Sequence, residues 1–256
     1  MHPIILTDSQ WALVAPVVEE HLRPRKHSTR SIIEAIFYVL RTGCQWRLLP
    51  GTFPPHETVY YHFRRLGGSN FWARLNRTLV LRARRLAGKK PPRAAALDSQ
   101  SVKHLQGTSD IGTDMHKRVR GRKRHLAVDM MGNVLAATAG AASEHDGREA
   151  GPLLDKAAHA WPSLRLVVAD EAYGGPLGRE AAWAAGLDLV RVEKPRGKGF
   201  IVLPGRWVVE RSISWLSWSR RLSKDYEKQS VTSVWWVLLA NIHRILCNWE
   251  KYRTAN

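Results

Sequence analysis

Cysteine is almost missing from this chain: Cys44 and Cys247 are the two in 256 residues. They stand far apart and in no ligand spacing. That excludes a disulfide framework and a thiolate metal site, and it suits a reducing cytoplasm. Long apolar runs are missing as well. The longest near the end, residues 234–240, is too short to cross a bilayer. The start, Met1-His2-Pro3-Ile4-Ile5-Leu6, lacks the charged opening and apolar core of a signal peptide, so no membrane partner is expected. Negative charge is the other scarcity, with 22 Asp and Glu against 40 Lys and Arg, a net +18. Residues 1–90 hold 15 basic and 5 acidic side chains, so the excess is spread over the chain and is not a tail. Such a field suits a polyphosphate, and released counterions would make that binding steeply salt-dependent.

What is present begins with helices. Thr7-Asp8-Ser9-Gln10 matches a capping box and predicts a helix burying Trp11, Val14 and Val18, with Pro16 limiting its regularity. A basic loop over residues 23–30 follows. Ser28 or Thr29 then caps a second helix with Ile32, Ile36, Phe37 and Leu40 at helical spacing and Gly43 as its stop. Pro55 starts a third helix over 56–66, and Ser69 caps a fourth with Trp72, Leu75 and Leu79 inward. Helix, tight break and short helix are the parts of a helix-turn-helix reader. Thr58, Tyr60, Tyr61, His62, Arg64 and Arg65 form a polar face, while Val59, Phe63 and Leu66 anchor it. Residues 1–88 are expected to be this all-α domain, and residues 89–256 a second, catalytic one.

The second part reads differently. Ala94-Ala95-Ala96-Leu97-Asp98 is an apolar strand stopping on a carboxylate, and Leu164-Arg165-Leu166-Val167-Val168-Ala169-Asp170 stops the same way. Between them the basic run 117–124 reads as a solvated loop. It leads into a hairpin, 125–130 and 134–139, turned at Gly132-Asn133. Helices over 146–161 and 176–185, a strand over 187–192 and a helix from Pro204 complete the order. Three antiparallel strands, helix, strand, helix, strand, helix is an α/β, ribonuclease H-like layout whose right-handed crossover sets the fourth strand beside the first. If those two strands are parallel neighbours, Asp98 and Asp170 leave one edge together. Glu210 then comes from the helix after Pro204, with Val209, Ile213 and Leu216 facing the sheet and Glu210, Ser214 and Ser217 beside them. Hard divalent cations take carboxylate oxygens, and two of them suit an in-line displacement at phosphorus. Among the rival acids, Asp129 belongs at the opposite edge and Glu171 should point away, while Glu227 is the substitute for Glu210. The four histidines 104, 116, 125 and 145 show no ligand spacing, and the eleven tryptophans read mainly as packing. Residues 231–249 read as a long amphipathic helix.

Several segments resemble insertion-sequence transposases of the DDE class, the IS-five group of the IS-four-like superfamily. They are Leu6-Thr7-Asp8-Ser9-Gln10-Trp11, the run from Arg41 to Pro50, residues 117–126, Ser143-Glu144-His145-Asp146-Gly147, Val168-Ala169-Asp170, the run from Lys198 to Pro204, and Arg206 to Glu210 running on to Glu227. The resemblance implies a triad of Asp98, Asp170 and Glu210 that binds Mg²⁺, two ions with Mn²⁺ able to substitute. It implies a bacterial, cytoplasmic protein that acts on double-stranded DNA, both transposon ends and target, as a homo-oligomer assembled there. The residues expected at the DNA are Arg206, Lys117, Arg118, Arg122, Lys123, Arg124, Thr58, Tyr61, Arg64, Arg65, Arg220 and Arg221. Two departures stand out: Glu171-Ala172 replaces a common Lys-Gly, and Leu203 and Ser217 occupy positions usually Tyr and Lys. A nuclease of the same fold without strand transfer, or a DNA-binding relative with an inert acidic cluster, remain the alternatives.

Overall fold

A computed structural model describes residues 5–22, 26–104, 110–192, 205 and 207–254. They group into two compact units: Met1–Lys89 with Ser217–Ser223 and Trp235–Asn256, and Lys90–Leu216 with Lys224–Val234.

In the first unit, α1 (Asp8–Glu19) opens from the expected capping box. The Thr7 hydroxyl accepts the Gln10 N–H at 3.2 Å, and the Gln10 side chain accepts the Thr7 N–H at 3.0 Å. Trp11 is only half-buried, whereas Val14 and Val18 are buried. The second helix, α2 (Thr29–Thr42), hides Ile32, Ile36, Phe37 and Leu40 and ends at Gly43, φ 69°. A side chain at Gly43 would also press on the Arg220 backbone, within 3.2 Å. Then come α3 (His56–Gly68) and α4 (Phe71–Leu86). Ser69 is not the α4 cap that the sequence suggests. Helix α3 runs two residues further than expected, so Ser69 closes it, its N–H on the Arg65 carbonyl and its hydroxyl on that of Leu66. Asn70, in the left-handed region at φ 58°, starts α4 instead. The end of the long helix Ser230–Cys247 packs here: Trp236 stacks on Phe63 at 4.6 Å and Asn241 donates to Asn76 at 2.7 Å. That helix is long and apolar enough to span a membrane by length and composition, but 72% of it is buried inside the protein.

The second unit is built on one mixed sheet. Its strands are β1 (Ala94–Lys103), β2 (Gly112–Asp114), β3 (Val119–Asp129), β4 (Val134–Ala141), β5 (Leu166–Ala169) and β6 (Asp188–Arg191). Spatially the order is β4-β3-β1-β5-β6, with β2 along the start of β3. Strand β3 runs antiparallel to β1 and β4, whereas β1, β5 and β6 are parallel. Helices α5 (Asp146–Ala160) and α6 (Pro176–Ala184) form the crossovers, and α7 (Trp207–Ser217) follows. This is the ribonuclease H-like arrangement that the element order implied.

The basic run departs from expectation in its second half. Lys117 and Arg118 lie in an exposed turn, but β3 begins at Val119 and Arg122, Lys123 and Arg124 are buried within it. Their charges are met inside. Asp225, fully buried, lies 3.3 Å from Arg122 Nη1 and 3.6 Å from Arg124 Nη2, and it accepts the Ser233 hydroxyl at 2.6 Å. Arg122 also donates to the carbonyls of Glu227 and Lys228. Removing one partner of a buried ionic network leaves uncompensated charge in the interior. Asp225→Ala should therefore cost about 3–5 kcal/mol in urea unfolding, and a loss below about 1 kcal/mol would contradict the role given to this network.

Candidate active site

Strand register decides which acids meet. Ala94, Ala95 and Ala96 pair with Leu166, Val167 and Val168. Continuing that count by two residues sets Asp170, the first residue beyond β5, opposite Asp98. Asp98 is not at the end of its strand, as the sequence suggested: β1 runs on to Lys103 because β3 pairs with it as far as Gly121. The rim exists only on the other side, where β5 stops at Ala169. Side chains alternate along a strand, so Asp98 shares the face of Ala96 and Asp170 that of Val168.

The chain entering α7 passes over that same face, because Gly205 lies against Val168, a Cβ there reaching its Cγ1 at 3.8 Å. Helix α7 then meets the β3–β4 hairpin, where Ser212 donates to the Gly132 carbonyl at 3.1 Å. Gly132 has φ 82°, and any Cβ would sit 2.7 Å from the Trp215 ring, so the contact demands glycine. Val208, Val209, Ser212 and Leu216 are the buried side of α7, and Glu210, Ser214 and Ser217 are exposed. Glu210 thus rides on the helix that starts over the face of the two aspartates, but on its solvent side. Among the described residues no three His, Cys, Asp or Glu side chains stand close enough to hold a metal ion. Register gathers Asp98 and Asp170; it does not gather Glu210 to them. Of the rivals, Asp129 is buried at the opposite end, accepting the Met131 and Asn133 N–H groups. The Glu171 side chain is 89% exposed, and Glu227 is held through its backbone by Asp225.

A second set of groups lies next to the pair, with Ser99 and His125 on the other face of the sheet, and sequence reasoning missed it. Asp98 accepts the Ser99 N–H at 2.7 Å, and Asp170 accepts those of Ala172 and Tyr173 at 3.1 and 3.3 Å. The Tyr173 hydroxyl meets His125 Nδ1 at 2.5 Å. Asp146 lies 3.8 Å from that nitrogen, 3.1 Å from Lys123 Nζ and 3.3 Å from the Ser99 hydroxyl. Burial pushes the Tyr173 phenol well above its ordinary value, with the charges of Asp146, Asp98 and Asp170 acting in the same direction. Burial likewise pushes the His125 imidazole down to about 4, against the pull of Asp146. The available signals were the spacing of Tyr173 from Asp170 and the position of Asp146 inside a family-like segment.

The basic residues divide by exposure. Lys117, Arg118, Tyr61, Arg65 and Arg220 are exposed, and Thr58 is half-buried. Thr58, Tyr61 and Arg65 line a cavity of about 560 Å³ together with Lys26, His27 and His62. Arg64 lies over the Trp235 ring at 5.4 Å and Arg221, buried, over Trp236 at the same distance. Arg122, Lys123 and Arg124 are taken up by interior partners, so their expected contact with DNA is corrected to a structural one. Arg206 lies outside the described residues. Trp207 and Trp215 sandwich Arg211, at 4.1 and 4.4 Å from their ring centres.

Comparison with known proteins bears on both units. Residues 6–76 match a family described as "Putative transposase of IS4/5 family", and residues 89–244 match the "Transposase DDE domain". Two relatives come from Burkholderia cepacia. The "Putative transposase for insertion sequence element IS402" is 30% identical over 132 residues, 48% of this chain and 63% of that protein. The "Insertion element IS402 uncharacterized 16.2 kDa protein" is 28% identical over 118 residues, 42% of this chain and 79% of that protein. The chain thus spans a little under two thirds of the first of them.

His125 makes stability depend on pH. Unfolded, an imidazole takes its proton near pH 6.5; folded, this one stays neutral down to about 4. The unfolded chain binds the extra proton between those values, so stability is full above about 6.5 and falls as pH drops toward 4. Between pH 7 and 4.5 the His125→Asn variant should lose about 2 kcal/mol less than the wild type in urea unfolding. Equal losses would contradict the buried, neutral imidazole.

Proposed function

The chain belongs to the transposases that carry a DDE domain, and we propose that it is a DNA transposase acting on the ends of its own insertion sequence. It binds the terminal inverted repeats, hydrolyses a phosphodiester to free a 3′-OH, and directs that hydroxyl at target DNA. The observation that supports this reading is the β1–β5 register, which continued two residues beyond Ala96 and Val168 sets Asp98 opposite Asp170, in a chain of net charge +18.

Both aspartates offer hard oxygen donors, which fit Mg²⁺ or Mn²⁺ and not a soft metal. Glu210, carried on α7, is the third acid of the reading, and a turn or shift of that helix would bring it inward. Two bound divalent ions would supply Lewis-acid polarisation of the phosphoryl oxygens and a lowered pKa for the attacking hydroxyl. The protein's own work is positioning. Asp98 and Asp170 would face the scissile phosphate, and exposed Lys117, Arg118, Arg65 and Arg220, together with Arg206, neutralise the DNA backbone. Thr58, Tyr61 and Arg64 on α3 read the repeat from the major groove. Residues 1–88 serve as the end-reading domain and 89–256 as the catalytic one. The protein works in the bacterial cytoplasm, on the nucleoid, as a homo-oligomer assembled on the transposon ends.

Asp98→Asn and Asp170→Asn should each lower cleavage about a thousandfold or more, the several kcal/mol a metal centre contributes, while affinity for a repeat-end duplex stays within about threefold. Unchanged cleavage would remove the catalytic reading and leave a DNA-binding relative. In the wild type, joining of pre-cut ends to a target plasmid separates transposase from nuclease, for which hydrolysis alone is expected. Arg65→Ala should weaken end binding and lower the slope of log affinity against log salt by about 1. An unchanged slope would take Arg65 off the DNA.

A further inference from the structure

Beside the aspartate pair stands a buried hydrogen bond that the chemistry above does not use. Tyr173 is 1% exposed and His125 not at all, yet phenol oxygen and imidazole Nδ1 meet at 2.5 Å. What they join is informative. His125 pairs across the sheet with Ser99, the residue after Asp98. Tyr173 closes the turn whose N–H groups Asp170 accepts, and the Gly174 N–H bonds back to the Asp170 carbonyl at 2.7 Å.

The far side of that turn is equally confined. A Cβ at Gly178 on α6 would fall 1.6 Å from the Tyr173 carbonyl, and one at Gly174 would fall 2.9 Å from that of Asp170. The backbone of the Asp170 turn is packed from the helix side and tied from the sheet side. Parallel pairing with β6 reaches Ala169, the residue before Asp170. The Tyr173 hydroxyl, on His125 and bonded also to Ser99, connects the Asp170 turn to the strand pair carrying Asp98.

We infer that Tyr173 and His125 are positioning residues that hold the Asp170 carboxylate at the spacing from Asp98 that a divalent cation requires. This rests on the metal-centre reading above. Outer partners that orient metal ligands typically change affinity about 10- to 100-fold when removed. Asp146 is kept apart from that task by Lys123, 3.1 Å away.

The test uses the full-length chain and Mn²⁺ alone, titrated calorimetrically into the metal-free protein, with thermal unfolding recorded in parallel. Tyr173→Phe keeps the ring and loses the hydroxyl. His125→Leu loses the acceptor, and His125→Asn restores a polar atom near Nδ1. Tyr173→Phe and His125→Leu should weaken Mn²⁺ binding about 10-fold or more, and His125→Asn should recover most of it. The Mn²⁺ concentration for half-maximal cleavage should rise in parallel, with the rate at saturating Mn²⁺ changed only a few-fold. Asp170→Asn separates the two levels of the argument. If it binds Mn²⁺ like the wild type, the metal-centre reading fails. If it loses binding while Tyr173→Phe and His125→Leu bind like the wild type, the positioning role alone is overturned. A fall in the saturated rate or in thermal stability, with unchanged Mn²⁺ affinity, also overturns it. Should Tyr173→Phe not fold, the contrast between His125→Leu and His125→Asn decides.

Discussion

The parallel pairing of β1 with β5 is the constraint on which the rest of the site depends. Strand β1 carries Asp98 and β5 leads into Asp170, distant in sequence, and the shared register, continued two residues beyond Ala96 and Val168, sets them opposite one another. A slip of one residue would put the two carboxylates on opposite faces. Small, fully buried residues guard against it: Ala95, Ala96, Val167 and Ala169 are all at 0% exposure. Their lack of polar atoms suits a parallel sheet covered on both sides. Covering comes from α5, which packs on β3, β4 and α6, and on the face of Val168 from Gly205, just before α7.

Charge works in two separate ways in this molecule. Part of the cationic excess is interior, where Arg122 and Arg124 converge on Asp225 and on carbonyls of the segment after α7. Those arginines tie residues 224–228 to β3 and offer nothing to an external polyanion. The field available to DNA is therefore carried by fewer residues than the net +18 suggests, among them Lys117, Arg118, Arg65 and Arg220 on the surface. Basic composition pointed to the right class of partner because the long-range field counts every charge. It could not say which side chains reach the surface.

Much of this was legible beforehand, for local reasons. A capping box at Thr7, a left-handed glycine at position 43 and apolar stripes at helical spacing are encoded within a few residues, and the helices followed them. Two apolar runs ending on Asp98 and Asp170 announced a shared edge because strands and crossovers obey a handedness rule. Less legible was whatever depends on contacts distant in sequence. Arg122 and Arg124 read as solvated because nothing nearby reveals that Asp225, some hundred residues later, neutralises them. Ser69 looked like a cap because the extra turn fraction of α3 is set by packing and not by local chemistry. His125 lies inside a family-like segment and Tyr173 just beyond another, but their meeting is a product of the register and the turn after β5. Glu210 stands between the two cases, its helix and exposed stripe readable and its distance from the aspartates not.

The claim at the centre is that Asp98 and Asp170 form a single divalent-cation site. Anomalous diffraction from crystals of the protein soaked in Mn²⁺, with a repeat-end duplex bound, measures it directly. The account predicts a peak between the two carboxylates, within ordinary coordination distance of both. An anomalous peak elsewhere, with these two side chains contacting no ion, would contradict it.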